Sequence, residues 1–199
     1  MKVAALAALA VAALASTPAL AETDSFTFNM VRNSGGALQN ALPHAHGSVT
    51  ITAAGAIEVM EVVVTGLLPN TDYDFFVIQV PHPPFGLSWY QGDIEANSQG
   101  VGHEFFIGRF SIETFIVAPG VAPAPVVFNG PFPDASANPA TNPVQLYHLG
   151  LWFNNPSDAV RAGALGTVTP FNGEHNAGVQ VLNTSNFPDN FGPLRAVNP

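Results

Sequence analysis

Six histidines, fourteen carboxylates and no cysteine are the groups with which this chain could do chemistry. In ALPHAHGSVTIT, Ala41 to Thr52, His44 and His46 stand two apart at the entrance to a strand-like run. Side chains two apart on a strand share a face. Both imidazoles therefore belong with Ser48, Thr50 and Thr52, while Val49 and Ile51 belong to the core. Neutral imidazoles so placed can bind Cu or Zn if a third donor arrives, and His148 and His175 are the candidates to supply it. The other reading is polar trim beside Gly47. A carboxylate four or five residues after the second histidine would strengthen the metal reading, but Thr50 and Ile51 occupy those places.

Two further clusters invite a ligand. In Tyr147-His148-Leu149-Gly150-Leu151-Trp152-Phe153, alternation puts His148, Gly150 and Trp152 on one face. A bare glycine between an imidazole and an indole makes an aromatic ledge for a sugar, or a seat for a covering segment. Thr169 to Gly178 is the densest polar loop, with Asn172, Glu174, His175 and Asn176. Glu174 and His175 could supply acid–base chemistry or metal ligation, or the loop's polar side chains could satisfy turn backbone. Asp93 and Glu95 share a face beside Trp89 and Tyr90, as a glycosidase pair or as solvated edge charges. No nucleophile elbow, phosphate-binding glycine loop or cysteine nucleophile is present.

These groups must be held by the rest of the chain. MKVAALAALAVAALASTPALA reads as a secretory leader, with cleavage expected before Glu22. Its one cation is Lys2. The remaining 178 residues carry four arginines against fourteen acids, a net charge of −10. Such a surface does not attract nucleic acid or anionic lipid. Only 10% of the chain is charged, against about a quarter in ordinary soluble proteins. No segment after the leader is long and apolar enough to span a bilayer as a helix. Without disulfides, an exported chain must be held by packing and hydrogen bonds.

Short apolar runs alternate with Gly, Pro and Asn almost throughout, the pattern of an all-β sandwich or barrel. Strands are predicted at 26–30, 48–52, 57–65, 73–80, 112–117, 126–128, 145–153 and 179–182. Leu87–Glu95 and His103–Phe110 should form a hairpin across Asn97 to Gly100. One short helix is expected at Asn155–Gly163, with Asn155 as N-cap, Pro156 at the first position and Gly163 as the stop. Residues Pro119 to Pro143 are Pro- and Ala-rich and should run along an edge or across a face. Alternation gives Tyr73, Phe75 and Val77 to the core. Phe76, Ile78 and Val80 then form a second apolar face that the Pro-rich segment or the C-terminal third must cover.

GLLPNTDYDFFVIQV, Gly66 to Val80, resembles the strand-turn-strand signature of fibronectin type III and related immunoglobulin-like sandwiches, through Leu67, Pro69, Thr71 and Tyr73. The resemblance covers about fifteen residues. It implies that Leu67 caps the core, Pro69 sets the turn and the Tyr73 hydroxyl returns to the loop backbone as a tyrosine corner. The expectation is thus an elaborated immunoglobulin-like antiparallel β-sandwich over residues 22–199. Its leading role is non-catalytic binding or assembly at the cell surface or in the extracellular matrix, with protein or carbohydrate as partner. The alternatives are a secreted or periplasmic Cu/Zn-binding protein using His44, His46 and His148 or His175, and an extracellular hydrolase. The candidate ligand-binding residues are His148, Trp152, Asn172, Glu174 and His175.

Overall fold

A computed structural model describes residues 25–118, 142–170, 173 and 175–198. The predicted leader, the strand expected at 126–128, Asn172 and Glu174 lie outside the described residues. The strands are β1 (Ser25–Arg32), β2 (His46–Ala54), β3 (Ile57–Thr65), β4 (Thr71–Ile78), β5 (Ser88–Ala96), β6 (Gly102–Gly108), β7 (Phe115–Ala118), β8 (Asn142–Gln145), β9 (His148–Phe153) and β10 (Gln180–Asn183). Eight of them form one antiparallel sheet in the order β5-β4-β9-β10-β1-β2-β3-β6; β7 and β8 form a separate ribbon. The protein is all-β, as the turn spacing implies. The predicted strand at 145–153 breaks at Leu146 and Tyr147, leaving its first residue to β8 and the rest to β9.

The sheet curls until it nearly closes. β1 makes the bend by serving both halves: Ser25 to Met30 pair with β2, and Val31 and Arg32 pair with β10. The predicted β5–β6 hairpin is half right. The chain turns tightly there, with Asn97 N donating to Val101 O at 2.9 Å and Gly100 N to Asn97 O at 2.9 Å. Yet β5 and β6 stand at opposite ends of the strand order. Side chains meet across the seam instead: Phe106 of β6 stacks on Phe75 of β4 with ring centroids 5.3 Å apart. Two glycines make room. A Cβ on Gly92 would lie 2.8 Å from Phe106 Cε1, and one on Gly102 would lie 2.5 Å from Ile94 Cγ2.

Inside the curl, facing rows of alternating residues fill the core. Phe28, Val49 and Val62 stand side by side across β1, β2 and β3, and the next row continues through Ile51 and Met60 to Phe106. Tyr73, Phe75 and Val77 join this core. Phe76 and Ile78 form the second apolar face, packed with Trp152, Ala177 and the ring of Phe85. Both faces of β4 are therefore buried, as its unbroken apolar run implies. The C-terminal residues pack on the same body: Leu194 and Val197 are buried, Leu194 N donates to Tyr147 O at 3.2 Å and Ile112 N to Val197 O at 2.9 Å.

Local signals place two connections. Leu68 N donates to the Tyr73 hydroxyl at 2.9 Å, and Thr71 Oγ1 donates to Pro69 O at 3.1 Å, so the hydroxyl does return to the turn. Burial pushes the Tyr73 phenol well above the usual tyrosine range, opposed by the Leu68 N–H. The helix α1 (Pro156–Arg161) starts where the Asn155 side chain accepts from Ser157 N at 2.8 Å. It is followed by Gly163 at φ +89°, a left-handed conformation suited to glycine.

Candidate functional site

The loop that delivers His44 and His46 is built around Arg32. Its guanidinium donates to the carbonyls of Asn33, Gln39, Ala41 and Leu42 at 2.7–3.2 Å. These bonds hold a path in which Gln39 and Leu42 adopt positive φ. His44 precedes β2 and His46 opens it, and both are exposed. The register of β2 is as the alternation requires, with Val49 and Ile51 inside and Ser48, Thr50 and Thr52 on the other face.

His148 lies elsewhere. It opens β9, which is separated from β2 by β10 and β1, three strand spacings or roughly 14 Å along the sheet. His148 is fully buried. Its Nε2 lies 3.2 Å from Pro188 O and 3.1 Å from Asp189 O, and Nδ1 lies 2.8 Å from Thr184 Oγ1. Nε2 faces two carbonyl oxygens, which only accept, so it carries the imidazole proton; in the neutral ring Nδ1 then accepts from Thr184 Oγ1, which itself accepts from Leu149 N at 3.1 Å. Burial lowers the His148 pKa below the ordinary histidine value, with the three hydrogen-bond partners opposing. His175 is exposed, with Nε2 3.0 Å from Asn154 O. The structure thus does not bring His148 to the His44–His46 pair. Among the described residues, no three His, Cys, Asp or Glu side chains gather closely enough to hold a metal ion.

Trp152 is also fully buried, its ring edge-on to Phe76 at 5.4 Å and Phe85 at 5.0 Å. Gly150 seats it: a Cβ there would lie 2.3 Å from Trp152 Cζ3. The predicted gap at Gly150 is real, and the indole itself fills it. Asp93 and Glu95 are exposed, opposite Asp74 and Asp72 across the β4–β5 ladder. Facing carboxylates on neighbouring strands repel.

Two surfaces stand out instead. The first is the outer face of β3 and β6. There Phe105 is 56% exposed, Ile107 68% and Ile57 39%. The register sets Phe105 opposite Glu61 and Ile107 opposite Val59, and His103 opposite Val63. Among the described residues, one ion pair lies on this face, joining His103 Nε2 to Glu61 Oε1 at 2.8 Å. Neighbouring β2 adds Ser48, Thr50 and Thr52, which are uncharged. The second is a cleft of about 620 Å³ between the start of the β4–β5 connection, the β7–β8 ribbon and the C-terminal turn, lined in part by Gln79, Gln145, Tyr147 and Arg195.

No protein-family model, curated protein or solved structure matches this chain.

Sequence reasoning passed over several residues that organise these surfaces. Glu58 is fully buried at the open end of the core, accepting from Phe110 N at 2.8 Å and paired with Arg109 Nη1 at 3.2 Å. Its parity with Met60, Val62 and Val64 was the available signal. The alternation His103-Phe105-Ile107 likewise marks one face of β6, but only the fold shows Phe105 and Ile107 exposed on it.

Proposed function

We propose that this is an exported, non-catalytic protein that works by assembly at the cell surface or in the extracellular matrix, and that copies meet through the outer face of β3 and β6. The observation that carries the reading is the exposed apolar row of Ile57, Phe105 and Ile107. Monomeric proteins seldom leave adjacent large apolar side chains open on a sheet face. The occupant is a second copy of this chain. In a molecule so rich in carboxylates, this face carries one acid, Glu61, and that acid is paired with His103. Two such faces can stack as sheets do, about 10 Å apart, without bringing unpaired carboxylates together. A two-fold contact uses the patch twice. The leader-like N-terminus supports export, and the Tyr73 corner supports an immunoglobulin-like relationship for the β3–β4 turn.

Magnitudes set the strength of the contact. Fully burying an Ile or Phe contributes about 1.5–3 kcal/mol, so closing these partly exposed side chains contributes about 1 kcal/mol each. Three per copy give about 6 kcal/mol across the pair, against an association cost of about 4–15 kcal/mol. A weak, concentration-dependent dimer follows, of the kind that many anchored copies make effective. Light scattering across a concentration series tests this. The mass should rise toward twice the chain mass, and Phe105→Lys with Ile107→Lys should hold it at one.

A further inference from the structure

We infer that the cleft beside the C-terminal turn binds a saccharide carrying a single carboxylate, such as one uronic acid residue. At about 620 Å³ the cleft lies within the usual range for small-ligand sites. It shares no strand with the β3–β6 face and stands independently of it.

Arg109 pairs with Glu58 and Glu113, and Arg161 pairs with Asp158. Arg32 is enclosed by backbone carbonyls. Arg195 alone among the described arginines has neither an acidic partner nor such an enclosure. Its guanidinium lies 4.2 Å from the centroid of the Phe191 ring and makes one long bond, 3.5 Å, to Asn190 O. It is thus positioned by the aromatic face while its other donors have no protein acceptor among the described residues. In a chain where acids outnumber bases so heavily, an uncommitted guanidinium at a cleft is unusual. A planar guanidinium recognises a carboxylate by two parallel N–H donors.

The other polar groups suit hydroxyls. Gln79 spends its Oε1 on Leu87 N at 3.1 Å and keeps its amide hydrogens for a ligand. The side-chain amides of Gln145 and Asn190 add both donors and acceptors. Asp189 meets His82 Nε2 through both oxygens, at 3.0 and 2.9 Å, and retains further lone pairs for hydroxyl donors. The Tyr147 hydroxyl donates to Ile112 O at 2.9 Å, which fixes its ring in the cleft wall. Val80, Ile112 and Val144 supply the apolar side that the C–H face of a sugar needs. One cation against a strongly acidic molecule does not draw in a polyanion, so a single acidic residue fits better than an acidic polymer.

The test is a nuclear magnetic resonance titration of the isotope-labelled protein with α-1,4-digalacturonic acid in which one carboxylate is methylated, and with the fully methylated, neutral ester. The singly acidic disaccharide should shift the backbone amides of Tyr147, Asn190 and Arg195 and bind about tenfold more tightly than the neutral ester, the effect of one charge-assisted contact. Arg195→Gln should abolish that preference while leaving the neutral ester's weak binding in place. Arg195 is exposed, so this variant keeps its fold. Binding of neither disaccharide, equal binding of both, or an unchanged preference in Arg195→Gln would each overturn the inference.

Discussion

Acid should loosen this protein through one side chain, His148. The ring is fully buried, and its two nitrogens are matched to a neutral imidazole. A charged ring there would be cut off from water, and that loss outweighs the hydrogen bonds to Asp189 O, Pro188 O and Thr184, which favour the charged form. Burial lowers the folded-state pKa below the ordinary histidine value of about 6.5. Above pH 6.5 the imidazole is neutral whether the chain is folded or not, and pH has no effect through it. Below pH 6.5 the unfolded chain takes up a proton that the folded chain refuses. Stability then falls by up to about 1.4 kcal/mol per pH unit until the folded pKa is reached. Against a total of about 5–15 kcal/mol, one unit of acidification is a measurable loss. Urea unfolding at pH 7.5, 6.5 and 5.5, read by circular dichroism, gives the slope for the wild type. His148→Gln keeps an N–H donor for Pro188 O and Asp189 O but cannot titrate. Its stability should drop between pH 6.5 and 5.5 by less than the wild type's, by up to about 1 kcal/mol. Every group other than residue 148 is common to the two proteins, so the comparison isolates this side chain. Equal slopes for the two proteins would refute the reasoning. Hydrogen exchange at pH 5.5 should show residues 184–197 opening before β2 and β3, because His148 ties down that segment's start.

Substitutions at two positions probe the fold's buried polar contacts. Glu58→Ala leaves Phe110 N without its buried acceptor and Arg109 without its nearest acid, and should cost about 3 kcal/mol in denaturant unfolding, with Glu58→Gln recovering part of it. Tyr73→Phe removes the acceptor for Leu68 N at the β3–β4 turn and should cost about 1 kcal/mol. A cost near zero would mean that water replaces the hydroxyl without loss.

What the sequence made legible was local. Leu67 to Tyr73 lie within one turn and bring their own instructions, so the Tyr73 hydroxyl is found where the motif puts it. Asn155, Pro156 and Gly163 bound the helix for the same reason. Alternation assigned both faces of β4 correctly, because side-chain parity needs no knowledge of neighbours. The strand order was not legible. Nothing near β4 announces that β9 and β10 will stand between it and β1. The β5–β6 turn read as a hairpin because turn chemistry specifies the reversal but not the pairing, which Phe106 and Phe75 decide from a distance. The site residues show the same division. Parity put His148 and Trp152 on one face of β9, but what covers that face comes from Phe85, Ala177 and the segment around Thr184 and Pro188, remote in the chain. Conversely, Phe105 and Ile107 look like ordinary strand residues until the order shows β6 at the sheet's end with its outer face uncovered.

The central claim is that copies of this chain meet through the outer face of β3 and β6. Its most direct test is the solution mass of the chain from Glu22 onward, measured by light scattering from dilute to concentrated samples at neutral pH. The wild type should pass from one chain toward two as concentration rises. The Phe105→Lys and Ile107→Lys double variant, with an unchanged circular dichroism spectrum, should remain at one chain throughout. A wild type that stays at one chain at every concentration, or a double variant that dimerises as readily as the wild type, would contradict the account.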